Sequence, residues 1–218
     1  DQIERKFGRR NFKVFVLFPG NFNLVQRTAV LDAIKVAGLE CDRAELAITM
    51  ASVVEHFSGL PTDERAQAYF QLTDTALECS VIASDESIYE VLDCSFDETV
   101  SSRKITLFLF HKLVQSIQKD FHVHLQDNKE AVIRLFLACE KAKTTLFDNA
   151  KLEMTSIDLP SLWKKGVDYS QIIRPSDFVE YFQGIRPQLE GLVSRCIQAL
   201  KLSHCKHLSL RYVFIGTL

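Results

Sequence analysis

The 218 residues are 47% hydrophobic and 25% charged, the usage of a globular chain long enough to bury one or two cores, which excludes a disordered or fibrous protein. A formal net charge of -2 leaves no global attraction for nucleic acid or anionic lipid, so neither a nucleic-acid nor a membrane partner is expected. No run of about 18 apolar residues occurs and the opening DQIERKFGRR carries no secretory apolar segment, so the reading is an intracellular domain, cytoplasmic or nuclear.

The apolar run from Asn11 to Phe18 predicts a buried strand stopped by Pro19-Gly20. A helix follows, with Asn23 as its cap, Leu24, Thr28, Leu31 and Ile34 as its apolar stripe, and Gly38 past its end. Glu40 to Ala44 reads as a short strand and Ala47 to Phe57 as a helix, with a polar boundary from Pro61 to Gln67. Three strand-like segments, Ala68 to Leu72, Leu77 to Ala83 and Ile88 to Leu92, form an antiparallel meander that turns at Asp85-Glu86-Ser87. Ile105, Leu109, Leu113 and Ile117 mark a long helix over 99–120, and a second covers 129–147. Strands are expected over 150–157 and 166–173. A helix then starts at Arg174-Pro175-Ser176-Asp177 with Ser176 as candidate cap, a longer one runs from Pro187 to Leu202, and Leu208 to Ile215 is the last strand.

In that order the blocks resemble the DnaK-type seventy-kilodalton heat-shock chaperone family. Phe18-Pro19-Gly20-Asn21-Phe22-Asn23 with Gln26-Arg27 is similar to the motif V-P-A-Y-F-N-D-x-Q-R, and Ala37-Gly38-Leu39 to its A-G-L. Asn128-Lys129-Glu130-Ala131 and the run Leu137 to Leu146 resemble N-K-R-A and the A-C-E-R-A-K-R-T-L helix. Gly166-Val167-Asp168-Tyr169 and Ile173 to Phe178 resemble G-x-D-F and I-T-R-A-x-F. The resemblance implies an α/β, actin-like ATPase (ribonuclease H-like) fold, holding part of the first lobe and most of the second. Residues 1–60 would be a first-lobe remnant, 61–98 with 178–218 the base of the second lobe, and 99–177 its upper subdomain.

The resemblance also places the nucleotide-site positions, and the expectation there is loss. ATP hydrolysis needs glycine-loop amides around the phosphates, a carboxylate-held metal and a group orienting water. The motif D-L-G-G-G-T-F-D stands here as Gln71-Leu72-Thr73-Asp74-Thr75-Ala76-Leu77-Glu78, and N-E-P-T as Leu46-Ala47-Ile48-Thr49. L-G-G-E-D-F-D becomes Val100-Ser101-Ser102-Arg103-Lys104-Ile105-Thr106, and V-G-G-S becomes Ile215-Gly216-Thr217-Leu218. On the helix that the resemblance assigns to adenine, Glu140 and Lys143 are kept, while Phe147 replaces a serine and would fill the adenosine slot. The resulting reading is a degenerate, non-catalytic ATPase domain without cofactor, acting as a scaffold or adaptor for a protein partner such as an active chaperone or co-chaperone. The alternatives are an ATP-binding chaperone ATPase, with ATP and magnesium, and a nucleotide-exchange co-chaperone.

Six cysteines, Cys41, Cys79, Cys94, Cys139, Cys196 and Cys205, are scattered through apolar stretches and read as reduced core residues. His204, Cys205 and His207 with Cys196 match no standard zinc spacing, so no metal site is expected, and His122 with His124 reads as a solvated loop. Trp163, at an expanded hairpin tip, is the candidate partner anchor, with packing over its own hairpin as the competing reading; Arg103 and Lys104 are the candidate contacts for an acidic partner.

Overall fold

A computed structural model describes residues 13–50, 53, 65–85, 88–149, 151–202 and 207–212, with Arg65 and the last six by backbone alone. Its elements alternate strands and helices, the mixed α/β class expected. They fall into two compact units. The first joins Asp1–Gln71, Glu78–Phe96 and Leu192–Ile215; the second joins Leu72–Leu77, Asp97–Gly191 and Gly216–Leu218.

In the first unit β1 (Lys13–Phe18) pairs in parallel with β2 (Glu40–Leu46), from Lys13 beside Glu40 to Phe18 beside Leu46. The connection is helical, as a parallel pair requires. That helix, α1 (Leu24–Val36), opens on the expected cap: Gln26 N–H donates to Asn23 Oδ1, and Asn23 N–H donates to Gln26 Oε1, each at 2.9 Å. It stops before Gly38, which lies at φ +73 where a side chain would be strained. The expected apolar stripe is covered only in part: Leu31 and Ile34 are half-buried beside β2, no residue of α1 is fully buried, and Leu24 is 79% exposed. Residues 47–50 are helical, as expected, and the rest of the predicted Ala47 to Phe57 helix lies outside the described residues except Val53.

A four-stranded sheet forms the rest of that unit, in the order β5 (Ile88–Asp97), β4 (Leu77–Asp85), β3 (Arg65–Leu72), β8 (His207–Tyr212). The three expected meander strands are therefore neighbours, each longer than the apolar run that signalled it. β3 and β8 run in parallel, Arg65 beside His207 through Phe70 beside Tyr212. Side-chain alternation gives the sheet two packed faces. Ala66, Ala68, Cys79 and Val81 meet Cys196 and Leu200 of the helix over 186–202, while Tyr69 and Ile82 meet Ile48 on the opposite side. Cys79 and Cys196, both fully buried, are disulfide-paired, their Cα atoms 7.2 Å apart across 117 residues. This corrects the reading of six unlinked cysteines; the thiols of Cys41, Cys94 and Cys139 are free, and Cys205 lies outside the described residues.

The second unit is built on α2 (Ser102–Phe121) and α3 (Lys129–Asp148), linked by a short 3-10 turn at Leu125–Asp127. Ser101 caps α2 by accepting from Lys104 N–H, and Asn128 caps α3 by accepting from Ala131 N–H. Ile105, Leu109, Leu113 and Ile117 of α2 are buried against Leu135, Cys139 and Leu146 of α3, so the predicted stripe is the core. Over it lies the antiparallel hairpin of β6 (Thr155–Leu159) and β7 (Tyr169–Ile173), with Ile157 and Tyr169 turned inward. Both strands start later than expected. Met154, half exposed, precedes β6, and residues 161–168 make a loop in which Ser161 N–H donates to Asp168 and Gly166 N–H to Ser161.

The next helix start is corrected too. Pro175–Phe178 is a 3-10 turn capped from Arg174, whose N–H donates to Asp177 Oδ2 at 2.8 Å, so Ser176 sits inside the turn and not at its cap. It runs into α4 (Val179–Gly184), followed by α5 (Arg186–Leu202), close to the predicted Pro187 to Leu202.

Candidate functional site

The positions singled out by sequence divide between the units. In the first, Gln71 is buried at the end of β3, Ala47 opens the helical residues 47–50 half-buried, and Glu78 is buried on β4. Glu78 has close company. Its carboxylate accepts the Gly20 N–H, and the Cys94 thiol donates to its Oε1 at 3.6 Å while Ser80 Oγ donates to Cys94 at 3.3 Å. A methyl group on Gly20 would overlap Glu78 Oε1 outright, and would approach Cys94 Sγ to 2.6 Å and Glu78 Cδ to 2.9 Å. Glycine is therefore a steric requirement opposite this carboxyl.

Burial holds the Glu78 carboxyl above its ordinary value of 4.5, against the opposing bonds from Cys94 and Gly20. A group raised in the folded state adds stability that is complete below its unfolded pKa and is lost as pH rises through the folded one. The groups facing it are the Gly20 amide and the Cys94 thiol, and the charge of Asp93 bears on that thiol. Replacing Glu78 by Gln keeps an acceptor and removes the titration. The melting temperature of Glu78→Gln minus that of the wild type is expected to increase between about pH 4.5 and 8. A difference constant across that range would show that Glu78 does not carry a buried charge.

In the second unit the Thr73–Ala76 turn replaces the expected glycine loop. Thr73 Oγ1 accepts from Thr75 N–H at 3.3 Å and Ala76 N–H at 3.0 Å and donates to the Ala76 carbonyl at 2.9 Å. With Thr73 N–H donating to the Ala76 carbonyl at 2.9 Å, three amides of the turn are engaged within it. Asp74 and Thr75 are exposed and Ala76 is buried. Ser102 N–H donates to the Thr73 carbonyl at 2.9 Å, tying the turn to the start of α2.

Along α3, Glu140 and Lys143 stand three residues apart and face that same helix start. Lys143 is only 4% exposed, unusual for a lysine unless paired. Its Nζ donates to Glu140 Oε1 at 2.7 Å, to Ser102 Oγ at 2.6 Å and to the Ser102 carbonyl at 3.1 Å. The other Glu140 oxygen accepts from the Thr106 hydroxyl. Phe147, one turn further, lays its ring against Phe178 at 5.3 Å and Phe182 at 6.2 Å.

Trp163 is half-buried, its ring 4.9 Å from that of Phe121 and 6.2 Å from Tyr169, so it packs over its own hairpin. Arg103 and Lys104 are exposed on the first turn of α2, where Lys104 Nζ donates to the Glu98 carbonyl. Burial pushes the Cys139 thiol up to about 12, which fits a packed thiol rather than a nucleophile. His122 and His124 are exposed at the end of α2, as a solvated loop predicts. No group of three metal-ligating side chains occurs among the described residues; His204, Cys205 and Gly216 lie outside them. No helix among the described residues is long and apolar enough to cross a membrane.

These strands and capped helices make a mixed α/β protein, and comparison with known proteins gives its family. The Hsp70 protein family model matches residues 1–215, so the chain belongs to the Hsp70 family. The heat shock 70 kDa protein of Neurospora crassa is 31% identical over 170 residues, covering 78% of this chain and 26% of that relative. The heat shock 70 kDa protein 2 of Paracoccidioides lutzii is 29% identical over 187 residues, or 86% and 28%. The chaperone protein DnaK of Ureaplasma urealyticum is 29% identical over 160 residues, or 73% and 26%. The chain spans 26–36% of the length of such relatives. The sequence reading of a non-enzyme with a degenerate ATPase site is overturned by this membership, because the family is the one for which the resemblance implies ATP hydrolysis.

Proposed function

We propose that this chain is part of the nucleotide-binding region of an ATP-dependent molecular chaperone that acts on protein clients. The observation that carries the reading is the pairing of Glu140 and Lys143 on α3 with the capped start of α2, inside a chain-long family match. A buried ammonium, a carboxylate and two hydroxyls form the donor and acceptor set that a ribose and a purine edge require. Released from one another, these groups would suit the nucleoside end of an adenine nucleotide, with Lys143 and Glu140 as its holders. The amides of Thr75 and Ala76 are engaged inside their turn, so no phosphate or metal step is assigned to them. Of the three partner-contact candidates, Arg103 and Lys104 are exposed on α2, whereas Trp163 is committed to packing.

The test is a melting curve of the protein with magnesium and millimolar ATP or ADP. A ligand at about 100 times its Kd adds roughly 2.7 kcal/mol, so a rise of several degrees is expected. No rise with either nucleotide, in the protein and in variants lacking the Ser102 and Thr106 hydroxyls that engage Lys143 and Glu140, would remove the nucleotide-binding reading.

A further inference from the structure

Three features of the Lys143 environment stand apart from what holding a nucleotide requires. The ammonium carries three donors, and three acceptors within its own unit take them: Glu140 Oε1, Ser102 Oγ and the Ser102 carbonyl, at 2.6 to 3.1 Å. Glu140 is likewise engaged on both oxygens, by Lys143 and by Thr106. Within the clasp Lys143 is 4% exposed and Thr106 fully buried, while Ser102 and the Glu140 side chain are half-buried. A free nucleoside-binding pair would leave donors open; this one leaves none.

Ser102 is the residue that closes it. It follows the α2 cap, Ser101, so its side chain is not needed to cap the helix, and its hydroxyl makes the shortest of the three Lys143 bonds. Where Ser102 stands, the motif of the resembled family has glycine, which offers no hydroxyl. A ligand reaching Lys143 and Glu140 must first break charge-assisted hydrogen bonds, each among the stronger a protein makes.

We infer that Ser102 and Thr106 form an autoinhibitory clasp, holding Lys143 and Glu140 away from adenine nucleotide until the Ser102 and Thr106 hydrogen bonds to them break. The inference rests on the nucleotide-site reading above. Removing the Ser102 hydroxyl leaves Lys143 with the carbonyl and Glu140; removing that of Thr106 frees one Glu140 oxygen. Either change lowers the cost of binding while the Ser101 cap keeps α2 in place.

The probe is magnesium ADP, titrated by calorimetry into the protein, Ser102→Gly, Thr106→Val and the double variant, with melting temperatures taken on the same samples. Losing one charge-assisted bond is expected to tighten binding about tenfold, and the double variant binds more tightly than either single one. Folded variants that bind no more tightly than a wild type that does bind would overturn the clasp and leave the nucleotide reading intact. Binding by none of the four proteins would overturn the nucleotide reading and the clasp with it. A second measurement needs no nucleotide: acylation of Lys143 by an amine-reactive ester is expected to be far slower than that of exposed Lys141, and faster in Ser102→Gly. Equal rates at Lys143 and Lys141 in the wild type would refute the clasp even if a variant fails to fold.

Discussion

Phe178→Ala is expected to cost about 3 to 5 kcal/mol, the largest loss of any single substitution considered for the second unit. Phe178 is fully buried at the end of the 3-10 turn, in the core that α2, α3 and the β6–β7 hairpin share, and its ring faces Phe147. The turn is held from outside by Arg174 N–H to Asp177 and by Lys112 to Asp177 at 3.2 Å, which limits how far it moves to fill a cavity. In a two-state melt the transition should fall on the order of 10 °C. Phe147→Ala, whose ring is 43% exposed, is expected to cost clearly less. Equal effects from the two would mean that the ring cluster, and not burial in the shared core, is what stabilises.

Gly20→Ala should be the most damaging small substitution in the first unit. The added methyl overlaps a carboxylate that is 3% exposed and has Cys94 behind it, so Glu78 cannot swing away into solvent. Overpacking of this kind typically costs about 1 to 3 kcal/mol. Shortening the opposing side chain should relieve it: the pair Gly20→Ala with Glu78→Asp is expected to recover most of the loss, although Glu78→Asp alone weakens the Gly20 and Cys94 bonds. The double-mutant cycle should therefore show a favourable coupling of about 1 kcal/mol or more. Additive losses would show that the loop at Pro19-Gly20 yields instead.

Much of this architecture was legible because its signals are local. Asn23 with Gln26, Asn128 before α3, and the spacing Ile105, Leu109, Leu113, Ile117 each name an element within a few residues. The start of β6 was misplaced because alternation in Leu152, Met154 and Ser156 looks like a strand whether or not a partner strand is present, and pairing with β7 begins only at Thr155. Ser176 looked like a cap because serine often is one, yet Pro175 fixes the first turn and passes the cap to Arg174. The stripe on α1 shows the same limit: periodicity names the face a helix offers, not what covers it.

The site was legible as positions and not as contacts. Sequence motifs picked out Glu140, Lys143 and Ser102, but the bond from Lys143 to Ser102 spans 41 residues, and that from Thr106 to Glu140 spans 34. No local pattern announces a buried lysine; the only hint was a glutamate three residues earlier. Glu78 was read as a degenerate nucleotide-site position, while its approach to Gly20 and the pairing of Cys79 with Cys196 exist only once the sheet has formed. Correcting the non-enzyme reading has the same root. Glycines replaced across several motifs were taken to outweigh the resemblance, whereas membership is carried by nearly the whole chain.

The contact between Gly20 and Glu78 also makes the two positions unequal to exchange with the motifs they resemble. Those motifs hold alanine and aspartate at these two positions, so one carbon has been removed on one side of the contact and one added on the other. Single steps between those states are not equivalent. Glycine arriving first leaves a gap the size of a methyl group, a cost of about 1 kcal/mol that a marginally stable fold tolerates. Glutamate arriving first drives its carboxylate into the alanine methyl, in a place where neither has room. Glycine opposite aspartate is the less costly intermediate of the two, and with Glu78 in place Gly20→Ala alone meets the overlap.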